Sequence, residues 1–409
     1  VFIFMANMPP NPHALAVLEA HFLLPNSIFG ILVCLGIIGC GDNIPENMSV
    51  GFVALLCGLC VQNIYSARLR FQMRGNYFAY DYVRNLSRTV PDGSITVIKE
   101  DVQLFSMWYF NDIKKMKPES VFLARGLSGS RWYIDAMKKF KGVNSVPLNN
   151  TGEWRRIKKL NLPSRVFFTS DVDLPFDFDL PVRSRGLSRE ILPAGEEDFS
   201  GTLFYDIYFY RKPYSYESES DFFNADLIED YAKSHAVYGG ELLRAERYDE
   251  ALKAYRNAAY MKAVYPEVYA SIGYIYMMKQ DEESSYKYYR KSTKNYDKLL
   301  DMAREYRTLP ETVNGIKRDY ARALVNLGVL EESNGNSNQA KRVYERAFRL
   351  DPGQLQAYYN LAVILWHEQD WEGVVRLLSV VAAADPGFLS SGHFLEQARI
   401  RLEQSRRAR

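Results

Sequence analysis

The stretch "HAVYGGELLRAERYDEALKAYRNAAY", His235 to Tyr260, decides how the second half of this chain is read. It supplies Tyr238-Gly239 and then Ala251, Tyr255 and Ala258, small residues at positions where two helices would cross and large ones around them. The grammar recurs with a period near 34 residues. The next unit has Tyr269, Ile272-Gly273 and Tyr276, followed by Ser285, Tyr289 and Ser292. A third has Leu324 and Leu327-Gly328, then Ala340, Tyr344, Ala347 and Pro352. A fourth has Tyr358, Leu361-Ala362 and Leu365, then Val374, Leu378 and Pro386.

Four such units over 232–388 resemble tetratricopeptide repeats, stacked helix pairs that bury a continuous core. About 20 extra residues, 300–320, separate the second unit from the third, and long helices broken near Pro310 accommodate them. The stretch 389–409 reads as a capping helix and tail. Stacked repeats leave a concave face lined by the first helices, and repeat geometry places Tyr274, Met277, Tyr359, Trp366 and His367 there. Those residues are candidates for gripping an extended peptide, a protein acceptor included. Asp370 follows His367 by three residues and shares its face if the helix continues, but one such pair falls short of a metal site.

Ahead of the repeats, over 65–211, strand and helix patterns alternate. "GNYFAYDYVRNL" carries Phe78, Tyr82 and Leu86 on one helical face. Pro91-Asp92-Gly93 is a turn, "SITVIK" a buried β-branched strand, and "DVQLFSMWYFNDIKKM" a helix with Leu104, Met107, Trp108 and Ile113 as its apolar stripe. "VFLAR" and "SRVFFTS" supply two more strands, with "SGSRWYIDAMKKF" as the helix between them. The alternation predicts βα units around a parallel sheet. "DVDLPFDFDLPVRSRGLSREILPAGEE" reads as a long loop, and 212–231 as a linker. Asp101 stands at the carboxyl end of the first strand, where open α/β sheets bind ligands and where a helix cap is also expected. Asp101, Trp108 and Tyr109 are therefore candidate ligand-binding residues, with the cap as the simpler role for Asp101.

The first 64 residues differ in kind. Leu23–Gly41, "LLPNSIFGILVCLGIIGCG", and Met48–Ile64, "MSVGFVALLCGLCVQNI", contain no charge. Both lie near the lower limit of what spans a bilayer as helix, and two transmembrane helices are expected. All four cysteines, Cys34, Cys40, Cys57 and Cys60, fall here. This leaves the rest of the chain without a disulfide framework or a thiolate metal site. Arg68, Arg70 and Arg74 follow the second segment and by the positive-inside rule favour a cytoplasmic location for what comes after. The net charge of +2 gives no nucleic-acid footprint. The chain opens on Val1, and "VFIFMANM" reads as the end of an apolar segment, so a fragment is expected.

Residues 75–134 resemble a family of bacterial multi-pass membrane proteins whose animal relative is a protein O-mannosyltransferase of the GT-C class. Gly75-Asn76-Tyr77, Ala79, Asp81-Tyr82, Arg84-Asn85, Trp108-Tyr109 and Trp132-Tyr133-Ile134 carry the likeness. The likeness covers about Leu23 to Pro193, with "RSRGLSREILP" as a later loop of the family, and many members also carry a repeat tail. The family's "GDND" falls on Glu100-Asp101-Val102-Gln103, so only Asp101 of its two aspartates is present and a metal-holding D-x-D pair is absent. The resemblance implies a glycosyltransferase with a lipid-linked sugar donor and a catalytic centre upstream of this chain. It also implies an inner-membrane location, with membrane lipids as partners of the chain and the soluble units in the periplasm. No hydrolase, phosphate-loop, zinc-protease or dinucleotide motif occurs, and no cofactor is expected in these residues. Two readings follow: the acceptor-positioning part of such an enzyme, or a membrane-anchored repeat scaffold for envelope protein assembly without catalysis.

Overall fold

The computed structural model describes residues 77–193, 204–209 and 222–407, with Gly58, Val61, Gln62 and Gly195 besides. Except for the first three of those single residues, the predicted spans over 23–41 and 48–64 lie outside the described part. Among the described residues no helix is long and apolar enough to cross a membrane. The chain divides into two compact units, Val1–Asp230 and Tyr231–Arg409.

The first unit opens with α1 (Phe78–Thr89), which buries Phe78, Tyr82, Val83 and Leu86. Strand β1 (Ile95–Ile98) follows the Pro91–Gly93 turn. Helix α2 (Asp101–Trp108) ends in a π-helical turn, Tyr109–Ile113, and leads to β2 (Val121–Ala124). Helix α3 (Arg131–Ala136) ends in a second π-turn, Met137–Lys141. Next come α4 (Thr151–Leu160), β3 (Val166–Thr169), β4 (Val182–Arg185) and β5 (Ser188–Ile191). The strand order is β2-β1-β3-β5-β4. β1 runs parallel to both neighbours, Ile95 opposite Val121 on one side and Val166 on the other. Every residue of β1 and β3 is buried, as expected of strands covered on both faces. On one face Ile95, Val97, Leu123, Val166 and Phe168 pack with Trp154 and Ile157 of α4. On the other lies α2, whose Trp108 Nε1 donates to the Phe122 carbonyl at 2.9 Å.

The sheet is mixed, which corrects the parallel expectation. Residues read as loop form the β4–β5 hairpin, antiparallel to β3 through Phe167–Glu190 pairing. Gly186, at φ 65°, takes the first place of a two-residue turn, where the mirror-image hairpin turns need a positive φ. Charge as well as apolar contact holds the hairpin. Glu190, almost wholly buried, accepts from Arg165 Nε at 2.6 Å and from Arg183 at 2.9 Å, with Arg185 at 3.5 Å. Burial opposes the Glu190 charge, but the Arg165 and Arg183 hydrogen bonds outweigh it and hold the carboxyl below its usual range. A run with so many charges has no apolar alternation to mark it as strand.

The stretch read as linker is helical from Phe222, the start of α5 (Phe222–Arg244). The helices that follow are α6 (Tyr248–Met261), α7 (Pro266–Met278), α8 (Glu282–Glu305), α9 (Pro310–Ser333), α10 (Ser337–Leu350), α11 (Leu355–His367), α12 (Trp371–Ala384) and α13 (Ser391–Arg407). From α5 to α12 they form four antiparallel pairs, and α13 closes the array.

A single spacing organises the pairs. Gly239 faces Tyr255, Gly273 faces Tyr289 and Gly328 faces Tyr344, sixteen residues apart in each case. A Cβ on Gly273 would stand 2.9 Å from the Tyr289 ring, and one on Gly239 3.0 Å from Tyr255, so only glycine lets these helices cross this closely. Each tyrosine hydroxyl reaches the first helix of the following pair. Asn326 donates to Tyr289 at 3.0 Å, Asn360 to Tyr344 at 3.3 Å, and Ser271 hydrogen-bonds Tyr255. Burial pushes the Tyr289 and Tyr344 hydroxyls far above their usual range, so they stay neutral donors and acceptors. The residues between the second and third pairs lengthen α8 and α9 to 24 residues each. Tyr296 and Tyr320 stack at 5.0 Å within this extension.

Candidate functional site

Two cavities open on the face built from first helices of the pairs. One, of about 350 Å³, is lined by Tyr274 with Glu267, Ser271, Asp319, Arg322 and Asn326. Its lining carries both signs of charge beside apolar groups such as Leu243 and Ala270, and Arg322 pairs with Asp319 at 3.0 Å. The other, of about 310 Å³, lies at the C-terminal end and is lined by Tyr359, Val363, Trp366 and His367 of α11, Leu378 of α12 and Phe394 of α13. Its aromatic walls hold one another edge to face: Trp366 meets Trp371 at 5.1 Å and Phe394 at 6.1 Å, and Tyr359 meets Phe394 at 6.4 Å.

Helix spacing explains why these residues meet. Tyr359, Val363 and Trp366 sit at i, i+4 and i+7 on α11, on one face. The structure thus brings Tyr359, Trp366 and His367 to one cavity and places Tyr274 in the other. Sequence reasoning names Leu378 only as a repeat position and does not single out Phe394; an aromatic near the start of a closing helix is the available signal. His367 does not share a helix face with Asp370. α11 ends at His367, and Asp370 instead caps α12, accepting from the Gly373 N–H at 3.0 Å. Among the described residues no three His, Cys, Asp or Glu side chains are grouped to hold a metal.

The first unit keeps its candidates apart from these. The carboxyl ends of β1 and β3 form the point where the chain reverses direction across the sheet. Lys99 there bridges Asp173 at 3.1 Å and Glu100 at 3.4 Å. Buried Asp171 accepts from Gln103 Nε2 at 2.8 Å, and its N–H donates to Asp230 at 3.1 Å. The other oxygen of Asp230 accepts from the Tyr82 hydroxyl at 2.6 Å.

Asp101 is the first residue of α2 and exposed; the cap position is Glu100, which makes no side-chain cap bond. The cap role assigned to Asp101 is therefore corrected, and what it retains is a carboxylate in the favourable first turn of a helix. The Trp108 indole N–H donates to the Phe122 carbonyl inside the fold. Tyr109 is exposed, with Lys114 Nζ 5.7 Å from its ring centre. Of the predicted stripe on α2, Leu104 and Met107 are buried, whereas Ile113, at the end of the π-turn, faces solvent.

The residues that carry the sequence resemblance also hold this unit together. Asn85, fully buried, donates to the Phe209 carbonyl at 3.0 Å and accepts from the Phe209 N–H at 2.8 Å. The Tyr133 hydroxyl accepts from the Ala124 N–H at 2.8 Å.

Comparison with known proteins agrees with the helix pairs. The tetratricopeptide repeat family matches at residues 266–298 and 325–387, and the C-terminal region of this chain carries such repeats. No curated protein matches the chain. Similar solved structures include MamA 41-end from Desulfovibrio magneticus RS-1, 18% identical over 43% of this chain and 88% of that one, with a TM-score of 0.32. The first repeat domain of Spaghetti (RPAP3) bound to the HSP90 peptide SRMEEVD is 17% identical over 33% of this chain and 91% of that one, at 0.26. YrrB, described as having an unusual peptide-binding site, is 16% identical over 40% of this chain and 92% of that one, at 0.22. At such scores what this chain binds has to be argued from its own residues.

Proposed function

We propose that this chain is a protein-interaction scaffold whose repeat array holds an extended segment of a partner polypeptide along its first-helix face. The observation that carries the reading is the cavity of about 310 Å³ walled by Tyr359, Val363, Trp366 and Phe394. Apolar, aromatic and open at the surface, it suits one large apolar side chain as anchor. The mixed-charge cavity around Tyr274 offers hydrogen bonds to backbone and polar groups farther along the same face. Selection of binders from a random peptide library tests this. Trp366→Ala should weaken the selected peptides by about tenfold or more, the scale of an anchor residue. Peptides that bind Trp366→Ala as well as the wild type, or no selectable peptide at all, would reject the reading.

The resemblance over 75–134 favours a narrower version. The held polypeptide would then be the acceptor of a GT-C-type glycosyltransferase, with a lipid-linked donor and transfer chemistry carried by other residues of the protein. Asp101, alone and exposed, supplies no donor-binding pair. Deleting 231–409 should then lower glycan occupancy of the acceptor in cells, and the isolated described units should transfer nothing. Unchanged occupancy supports the plain scaffold, at the membrane or elsewhere.

A further inference from the structure

In the first unit, α2 and α3 leave an apolar face uncovered. Phe105, Tyr109 and Ile113 recur every four residues along α2 and its π-turn; Trp132 and Phe140 stand eight apart along α3 and its π-turn. All five are between 47% and 72% exposed. Both helices start at the carboxyl end of a strand and run back the same way. Their last turns are tied together by Lys141 Nζ and Asp112 Oδ1 at 2.6 Å. That ion pair sets Asp112, beside Ile113, next to Lys141, beside Phe140, so the two stripes approach each other at this end.

That surface is also basic. Residues 109–119 and 131–141 together carry seven cations against three carboxylates. Lys114, Lys115, Lys138 and Lys139 are exposed around the aromatic rings, Lys114 over Tyr109 and Lys139 over Phe140 at 5.2 Å. We propose that this face is a docking surface for an anionic lipid bilayer, with the rings at headgroup depth and the lysines on the phosphates.

Two considerations select lipid over a protein partner. Lysine is depleted in protein–protein interfaces, whereas aromatic rings flanked by lysine are the signature of a membrane interface. The way the chain reaches the unit points the same way. The uncharged segments 23–41 and 48–64 are joined to α1 by only thirteen residues, 65–77, which include Arg68, Arg70 and Arg74. Tyr80 in the first turn of α1 lies 5.1 Å from Phe110 in the α2 π-turn, so the chain arrives beside this face.

The test uses the full chain reconstituted into phosphatidylcholine vesicles with brominated acyl chains, with and without phosphatidylglycerol. Brominated lipid should quench part of the tryptophan fluorescence. That part should vanish in Trp132→Phe and persist in Trp366→Phe. It should shrink when phosphatidylglycerol is left out, when salt is raised, and when Lys114, Lys115, Lys138 and Lys139 are all changed to Gln. Should the fourfold variant fail to fold by circular dichroism, the salt titration reads the same interaction. Quenching that is absent, unchanged by Trp132→Phe, or indifferent to lipid charge would overturn the proposal, and in the first two cases would leave the face to a protein partner or a second copy. The repeat array plays no part in this measurement, so peptide binding and membrane docking stand or fall separately.

Discussion

Gly328 lies against the ring of Tyr344 so closely that a Cβ placed on it would stand 2.7 Å from Cζ and 2.9 Å from Cδ1. The α9–α10 crossing is set by that contact. Gly328→Ala should therefore destabilise the array by roughly 1–3 kcal/mol, the usual penalty for overpacking, despite alanine's better helix propensity. Gly315, in the same helix, is the control, because a Cβ added there meets nothing within 4 Å. Gly315→Ala should stabilise by about 0.5–1 kcal/mol. Urea denaturation of the two variants should move in opposite directions.

Asn85→Ala removes both bonds to the Phe209 backbone from a buried position. A loss of about 1–3 kcal/mol is expected, together with faster proteolysis near 204–209. Because Asn85 belongs to the resemblance motif, this measurement also asks whether that motif serves folding.

Asp101 and Asp370 give opposite answers to one substitution. Asp370→Ala deletes a cap bond to Gly373 and should cost about 1 kcal/mol. Asp101→Ala deletes no cap bond and should cost only a few tenths through the helix dipole. Thermal melts compare the two directly.

Burial pushes the His235 imidazole from 6.5 down to about 4. Between those values the unfolded chain takes up a proton that the folded chain refuses, so stability falls as the pH falls through this window and is unaffected by His235 above it. The slope should approach about 1.4 kcal/mol per pH unit near the middle of the window. His235→Phe should flatten it, whatever the variant does to stability at neutral pH.

The repeats are legible because their packing is written locally. Small and large residues that must meet sit at a fixed helical distance, as Gly273 and Tyr289 do. The βα part is legible where strands are continuously apolar, as in Ile95–Ile98. Hairpin β4–β5 is not, because Glu190 and its arginines put charge where a strand pattern has aliphatic residues; the Gly186 turn is the one local sign. Spacing alone places Tyr359, Trp366 and His367 on a common face. It does not disclose their cavity, since Phe394 closes it from a helix that begins after the last repeat. The exposure of Phe105 and Phe140 is equally hidden, because a helix pattern records which residues are apolar and not which of them the fold covers.

The tyrosine hydroxyls form a row of rivets from one helix pair to the next, and the row stops at Asn360, since Leu378 takes the tyrosine position in the last pair. Pulled between its ends, the array should yield first where that riveting is missing, between α12 and α13, shedding α13 while the four pairs hold. The aromatic cavity straddles that seam, so mechanical load on a gripped partner would open its own grip.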